Sequence, residues 1–246
     1  MKLSEDSLKK ILENQNTIIG QNHELIFSQV FHDTIKGSKW LPEDFAFSPG
    51  RGALGYPALY VLYRMLDEFR PESILETGMG QSTKMISLYN RYNKDCRHCV
   101  VEHDHDWIEF FCNHFSVPET TDILELPIID AEMDIGGDGK TNVTTYVNFR
   151  KSLEGRKFDL ICIDGPYGYR SPVYSRIDIM GLLPRCLKDR FIILLDDCDR
   201  QGELNTFKLI ISKLMGEGIE CCYSIYNGEK GTGIIVSKDL EFLTTM

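Results

Sequence analysis

The amino-acid sequence predicts an α/β fold: a seven-stranded, mostly parallel sheet with helices on both faces, a C-terminal antiparallel hairpin and a helical N-terminal extension. Three observations predict it. From residue 57 onward, short apolar runs alternate with longer stretches of helical spacing, the pattern of βαβ units. The runs FDLICID (158–164) and FIILL (191–195) are apolar without alternation, as strands covered on both faces are. The last two runs, 219–226 and 232–237, are joined by NGEKG, which is rich in turn residues and too short for a parallel crossover.

Each element has its own reason. Over residues 1–36, Leu3, Leu8, Ile11, Leu12, Ile18, Ile19, Leu25, Ile26 and Val30 recur at amphipathic-helix spacing, with Gly20 as the expected break between two pieces. Residues 37–57 contain four glycines and three prolines, which rules out regular helix or central strand and predicts an ordered loop. Trp40, Arg51 and Tyr56 in this stretch either close over a ligand as a lid or pack the extension. Residues 1–56 therefore read as a helical extension with a lid-like loop, and 57–246 as the main domain. A helix over 58–69 ends before Pro71. Then follow strand 73–77, helix 82–92, strand 98–102, helix 105–115, strand 123–129 and a helix within 144–153. Strand 158–164, helix 173–187, strand 191–196, helix 203–215 and the hairpin complete the domain.

Composition narrows the function. Lys and Arg total 27 against 37 Asp and Glu, a formal net charge of −10, which disfavours nucleic acid and anionic membranes as partners. The longest strongly apolar run, 191–195, falls far short of the about 20 residues a membrane-spanning helix needs. The opening MKLSEDSLKK carries charges where a secretion signal is apolar, so a cytoplasmic protein is expected. Of eight cysteines, Cys162 and Cys198 adjoin core runs and read as reduced thiols. Cys96 and Cys99 form a CxxC without the second pair that a structural zinc site takes, and read as a turn entering a strand.

The most informative segment is SILETGMGQST (73–83). A strand ends at Thr77, a GxG turn follows, and a helix begins near Ser82, with Ser82 or Thr83 placed to cap it. A dinucleotide fingerprint has a third glycine where Thr83 stands. Glu76 beside the turn repels a pyrophosphate but suits a ligand carrying an ammonium group. Glu102 ends the next strand, where an acid accepts hydrogen bonds from ribose hydroxyls. Together with VVEHD (100–104), this segment resembles the class I methyltransferases that use S-adenosylmethionine. The resemblance implies a Rossmann-like sheet over about residues 58–238. It also implies that Glu76, Gly78, Gly80 and Ser82 lie at the methionine end of the cofactor, and that Glu102 holds the ribose. Asp130, with Ala131, stands where that family contacts adenine, and Asp164 closes the cofactor set.

Two further strands end in acids: Asp164 after 158–163, and Asp196 and Asp197 after 191–195. If these strands are neighbours, the acids converge at the carboxyl edge of the sheet, where open α/β proteins bind ligands. Such acids either cap helices and face solvent or bind a cation, and all-oxygen ligands suit Mg²⁺, Mn²⁺ or Ca²⁺. The arrangement resembles the metal-dependent O-methyltransferases of the catechol and caffeoyl-CoA type, which implies a metal on Asp164, Asp196 and Asp197. The Asp-Asn pair of that family is Asp196-Asp197 or Asp197-Cys198 here, and its catalytic lysine is Tyr167. Asp164 is then the candidate base. His103 and His105 read as acid–base groups, adenine neighbours or surface residues; Arg170, Arg176 and Arg200 read as holders of an anionic acceptor group or as surface charge. The runs 48–84 and RIDIMGLLP (176–184) also resemble bacterial methyltransferase-like proteins of polysaccharide biosynthesis, which implies a sugar or glycan hydroxyl as acceptor. The expectation is methyl transfer from S-adenosylmethionine to an oxygen of a small molecule or sugar. Its rivals are a non-catalytic binding module and a nicotinamide-dependent oxidoreductase. The helical extension is an expected homodimer surface.

Overall fold

In the computed structural model, which describes residues 4–50, 52–135, 137 and 139–245, nine strands form a seven-stranded sheet and a separate two-stranded arm. The strands are β1 (Ser73–Thr77), β2 (Arg97–Glu102), β3 (Thr121–Glu125), β4 (Ile128–Asp134), β5 (Lys140–Tyr146), β6 (Phe158–Ile163), β7 (Leu187–Leu195), β8 (Cys221–Asn227) and β9 (Gly231–Ser237). The sheet runs β3-β2-β1-β6-β7-β9-β8. Its first five strands are parallel, and the closing hairpin is antiparallel to β7 through β9. This is the Rossmann-like order the sequence predicts. The chain reverses direction across the sheet between β1 and β6, and a ligand crevice opens at that switch point beyond the strand ends.

The parallel strands are buried on both faces, which is why they carry no polar alternation. One face, with Ile74, Leu160, Ile192 and Ile234, packs under α2 (Tyr56–Arg64) and α3 (Gln81–Tyr92). The other, with Leu75, Ile161, Ile193 and Ile235, packs under α6 (Gln201–Gly216) and the segment around Ile179 and Leu183. In register, Ile163 on β6 sits opposite Leu195 on β7, so Asp164 and Asp196 leave adjacent strands at the same level.

Three expectations are corrected. The extension is a single helix, α1 (Glu5–Thr34), not two pieces. Gly20 is there for packing: a Cβ on it would lie 2.8 Å from the Gly228 carbonyl oxygen, in the β8–β9 turn. The run 123–129 is two strands, because β3 ends at Glu125, Pro127 interrupts the ladder, and β4 leaves to pair with β5. The helix expected within 144–153 is there as the short α5 (Phe149–Ser152), after strand β5. The helix expected over 173–187 is absent: the segment holds one 3₁₀ turn, Ile177–Gly181, preceded by Arg176 in the left-handed region (φ 55°) and followed by Pro184.

The C-terminal part of α1 is anchored by Phe31 and Ile35, both buried, and by Phe27 against Tyr60. Its outward stripe, including Leu12, Ile18, Ile19, Leu25 and Ile26, is exposed. Among the described residues, no helix is long and apolar enough to cross a membrane.

Candidate functional site

At the carboxyl edge of the sheet lies a cavity of about 480 Å³, with Gly78, Glu102, Trp107, Tyr146, Asp164 and Lys230 among its walls. Its two ends are built differently.

At the β1–β2 end the chain turns at Gly78, whose φ of +86° suits glycine alone. A Cβ there would also meet the Asp164 carbonyl at 3.1 Å, so the glycine lets two strand ends approach. Beyond it the backbone N–H of Met79 donates to Glu102 Oε2 at 2.9 Å. Glu102 Oε1 accepts from the backbone N–H groups of His103 (2.6 Å) and Asp104 (3.0 Å), and His103 Nδ1 lies 2.7 Å away. Burial works against the charge on Glu102, but these hydrogen bonds outweigh it and hold the carboxyl below its ordinary pKa. The indole N–H of Trp107, at the start of α4 (His105–His114), donates to the Met79 carbonyl at 2.8 Å and pins the turn. The hydroxyl of Tyr146, which also lines the cavity, is buried with no hydrogen-bond partner among the described residues. So is the Nε2 of His103, whose ring meets Tyr167 edge-on at 4.6 Å. Buried polar atoms are ordinarily paired, so these two are candidates to hydrogen-bond a water or a ligand.

At the β6–β7 end the three acids converge as expected, with one carboxylate oxygen of each within 4.8 Å of the others. Asp197 sits in the left-handed region (φ 63°), as does Arg176 across from it. Arg176 Nη2 lies 2.9 Å from Asp164 Oδ1 and 2.7 Å from Asp197 Oδ2, and its Nη1 donates to the Asp196 carbonyl at 2.9 Å. Lys230 Nζ, from the hairpin turn, lies 2.5 Å from Asp196 Oδ2 and 2.8 Å from Asp197 Oδ1. Arg200 also contacts Asp197 and reaches Glu203 at 3.6 Å. Asp164 remains 30% exposed at the cavity wall. Burial and the neighbouring Asp196 push its carboxyl up to about 6, against the pull of Arg176 and Lys230.

The structure places the other sequence candidates as follows. Glu76 is fully buried, with Oε2 3.0 Å from His98 Nε2 but without an aligned hydrogen bond. It lies beneath the turn rather than on the cavity wall. Gly80 precedes α3, where its N–H donates to Thr83 Oγ1 (2.8 Å), so Thr83 does the capping and Ser82 is buried in the first turn. Asp130 is not at the cavity: it lies on β4, opposite Thr144, whose hydroxyl it accepts at 2.6 Å. The early end of β3 carries it away into the arm. His103 lines the cavity, while His105 pairs with Glu125 on the surface. Trp40 stacks on Tyr63 and bonds Asp67, so it packs the extension. Arg51 falls outside the described residues, but its neighbours do reach the site: Gly52 lines the cavity and the Ala53 carbonyl accepts from Lys230 at 3.1 Å. Cys96 and Cys99 are free and buried. Met79, Trp107, Tyr146 and Lys230 were not singled out by the sequence, and only the adjacency of Met79 to the glycine turn signalled any of them.

No protein-family model matches the chain, and no curated protein matches it. Solved structures do. The chain is similar to an O-methyltransferase from Bacillus cereus in complex with S-adenosylhomocysteine, at 14% identity and a TM-score of 0.49, over 89% of this chain and 91% of that one. It is also similar to an S-adenosylhomocysteine-bound methyltransferase from Podospora anserina, at 15% identity and a TM-score of 0.48, over 97% and 98%. A third is an O-methyltransferase from Streptomyces achromogenes in complex with S-adenosylmethionine, at 14% identity and a TM-score of 0.47, over 87% and 89%.

A divalent cation does not fit the β6–β7 end as it stands. Asp197 accepts at both oxygens, Asp196 at Oδ2 with Thr232 Oγ1 3.5 Å from Oδ1, and Asp164 at Oδ1. An ion taking its usual six or more oxygen ligands would have to expel Arg176 or Lys230, both largely buried. The expected metal on Asp164, Asp196 and Asp197 is therefore opposed by the donors that surround them.

Proposed function

We propose that this chain is a methyltransferase that uses S-adenosylmethionine and methylates an oxygen of a polar small molecule or glycan. The observation that carries the reading is one cavity with two acids at its ends: Glu102, set by backbone N–H groups beside a glycine turn, and Asp164, with one carboxylate oxygen facing the open space. The cofactor fits the first end. A carboxylate has about four acceptor sites; Glu102 Oε2 uses one of its own for Met79 and keeps another for a ribose hydroxyl. The hydroxyl of Tyr146 and Nε2 of His103 are free for the rest of the ligand. Bound there, the cofactor supplies an activated methyl group on a sulfonium centre.

The chain's own residues do the remaining work. Holding donor and acceptor in line contributes about 7–11 kcal/mol to such a displacement. Asp164 Oδ2 takes the acceptor's hydroxyl proton, while Arg176 on Oδ1 fixes the direction of the free oxygen. A base of this kind makes turnover rise with pH through about 6. An adjoining cleft of about 400 Å³ shares Asp197, Arg200 and Lys230 with the cavity and adds the side chains of Asn16, Thr17 and Gln21. Amides, a hydroxyl and charges there support a polyhydroxylated acceptor. The open stripe of α1 supports a second copy of this chain as partner, which light scattering of the full chain checks. Eight free cysteines support a cytoplasmic location.

The first measurement is calorimetric titration with S-adenosylhomocysteine, with NAD as control and EDTA present. Micromolar binding of the first alone is expected. The reverse preference would favour an oxidoreductase, and binding of neither a non-catalytic module. Asp164→Asn then abolishes transfer of labelled methyl while leaving cofactor affinity within about threefold. Equal loss of both would remove Asp164 from the role of base.

A further inference from the structure

We propose that Arg176 and Lys230 are the resident cations of the acid cluster, standing where a divalent metal would bridge the three carboxylates, so that the site excludes such metals. Each bridges two acids, as a metal ion would: Arg176 joins Asp164 to Asp197, and Lys230 joins Asp196 to Asp197. The ammonium of Lys230 has three protons to donate, and its three acceptors are Asp196, Asp197 and the Ala53 carbonyl. Its hydrogen bonds are saturated. Asp197 is flanked by Arg176, Arg200 and Lys230, with a cationic donor already on each of its oxygens. Of the six carboxylate oxygens of Asp164, Asp196 and Asp197, Asp164 Oδ2 alone has no protein donor within 3.5 Å among the described residues. One free oxygen is a place for a hydroxyl proton, not for a coordination sphere.

The substitution has a second consequence. Lys230 holds Ala53 in the loop before α2 as well as the strand-end acids, so the same ammonium that neutralises the cluster also fastens that loop over the cavity. A metal would neutralise the acids without making that connection. The catalytic half of this inference, metal-independent turnover, rests on the methyltransferase reading; the binding half does not.

The test is a titration of the full chain with MnCl₂, following free Mn²⁺ by electron paramagnetic resonance, on wild type and on Lys230→Met. Wild type is expected to take up no Mn²⁺ below about 1 mM, and its thermal midpoint is expected to be the same with and without EDTA. Lys230→Met leaves Asp196 and Asp197 short of a cation and is expected to bind Mn²⁺ at least about tenfold more tightly than wild type. Micromolar binding by wild type that Asp196→Asn abolishes would overturn the proposal. So would a thermal midpoint that EDTA lowers and Mg²⁺ restores. If Lys230→Met fails to fold, the wild-type titration decides alone. None of these readouts needs a cofactor, so a failure to bind S-adenosylhomocysteine would remove the methyltransferase reading and leave this result standing. If methyl transfer is observed, equal rates in EDTA and in Mg²⁺ support the proposal, and loss in EDTA overturns it.

Discussion

The cavity holds an acid at each end by opposite means. Glu102 is held by backbone N–H groups of Met79, His103 and Asp104, which the glycine turn and the start of α4 aim at it. The acids after β6 and β7 are held by the side-chain cations Arg176, Arg200 and Lys230. A backbone array is set by the fold and is local in sequence. A side-chain array is set by whichever distant segments pass by, and each member depends on the others. The first end should therefore lose ligand affinity when altered, and the second should lose stability.

The largest expected effect is at the second end. Arg176→Met leaves Asp164 and Asp197 without their bridging partner and brings Glu203, 4.0 Å from its Nε, closer to isolation. Removing one member of a buried ion network costs about 3–5 kcal/mol. For a chain of 246 residues, this lowers the thermal midpoint by roughly 6–20 °C by calorimetry. A drop under about 3 °C would mean that the cluster is solvated and that the two ends do not differ in kind.

That difference also decides what could be read in advance. The glycine turn and Glu102 are legible because the residues that cooperate there are neighbours: 76–83 on one strand-turn-helix and 102 on the next strand. The acids of the second end are legible for the same reason, each closing an apolar run. Their cations are not. Lys230 sits in a hairpin turn where a lysine carries no signal, and Arg176 lies in a segment whose apolar spacing suggests a helix that Pro184 and a left-handed residue prevent. Without its cations, the cluster resembles a metal site. Asp130 illustrates the converse: its position after a strand points to the cavity, but Pro127 ends that strand early and β4 carries the residue into the arm.

The next effect tests the first end. Glu102→Gln keeps one acceptor oxygen but gives up the charge that gathers three N–H donors. Hydrogen bonds to a charged group contribute about 1.5–3 kcal/mol, so affinity for S-adenosylhomocysteine falls about tenfold to hundredfold by calorimetry. The thermal midpoint should fall by less than for Arg176→Met; the reverse order would break the comparison.

Asp178 provides a third case, an acid with neither a cation nor a full backbone array. Its Oδ1 accepts from the Tyr146 N–H at 2.8 Å and from the Thr145 hydroxyl, but its Oδ2 is buried without a partner. Burial pushes its carboxyl up to about 6. Because the folded chain holds this proton more tightly than the unfolded chain, the stabilisation is fully present below about pH 4 and is lost as pH rises through about 6. Asp178→Asn keeps the acceptor and cannot ionise. It should stabilise the chain by about 1–2 kcal/mol at pH 7.5 and by nothing at pH 4, in urea unfolding at both values. A gain of equal size at both pH values would assign the effect to packing.

The smallest effect separates ligand binding from folding most cleanly. Tyr146 stacks on Phe149 with ring centroids 5.7 Å apart, and its hydroxyl has no hydrogen-bond partner among the described residues. Tyr146→Phe keeps the stacked ring and deletes only the orphaned group. If the hydroxyl is there for the fold, its loss should lower the thermal midpoint. If it is there for a ligand, the free chain should be unchanged or more stable by up to about 1 kcal/mol, since a buried unsatisfied group is removed. The same change should weaken S-adenosylhomocysteine about threefold to tenfold, the worth of one neutral hydrogen bond. A stabilised chain with weakened binding is the combination that only a site built around a missing ligand produces. A midpoint that falls while affinity stays constant would instead place the hydroxyl in the folded network and take Tyr146 out of the cofactor end.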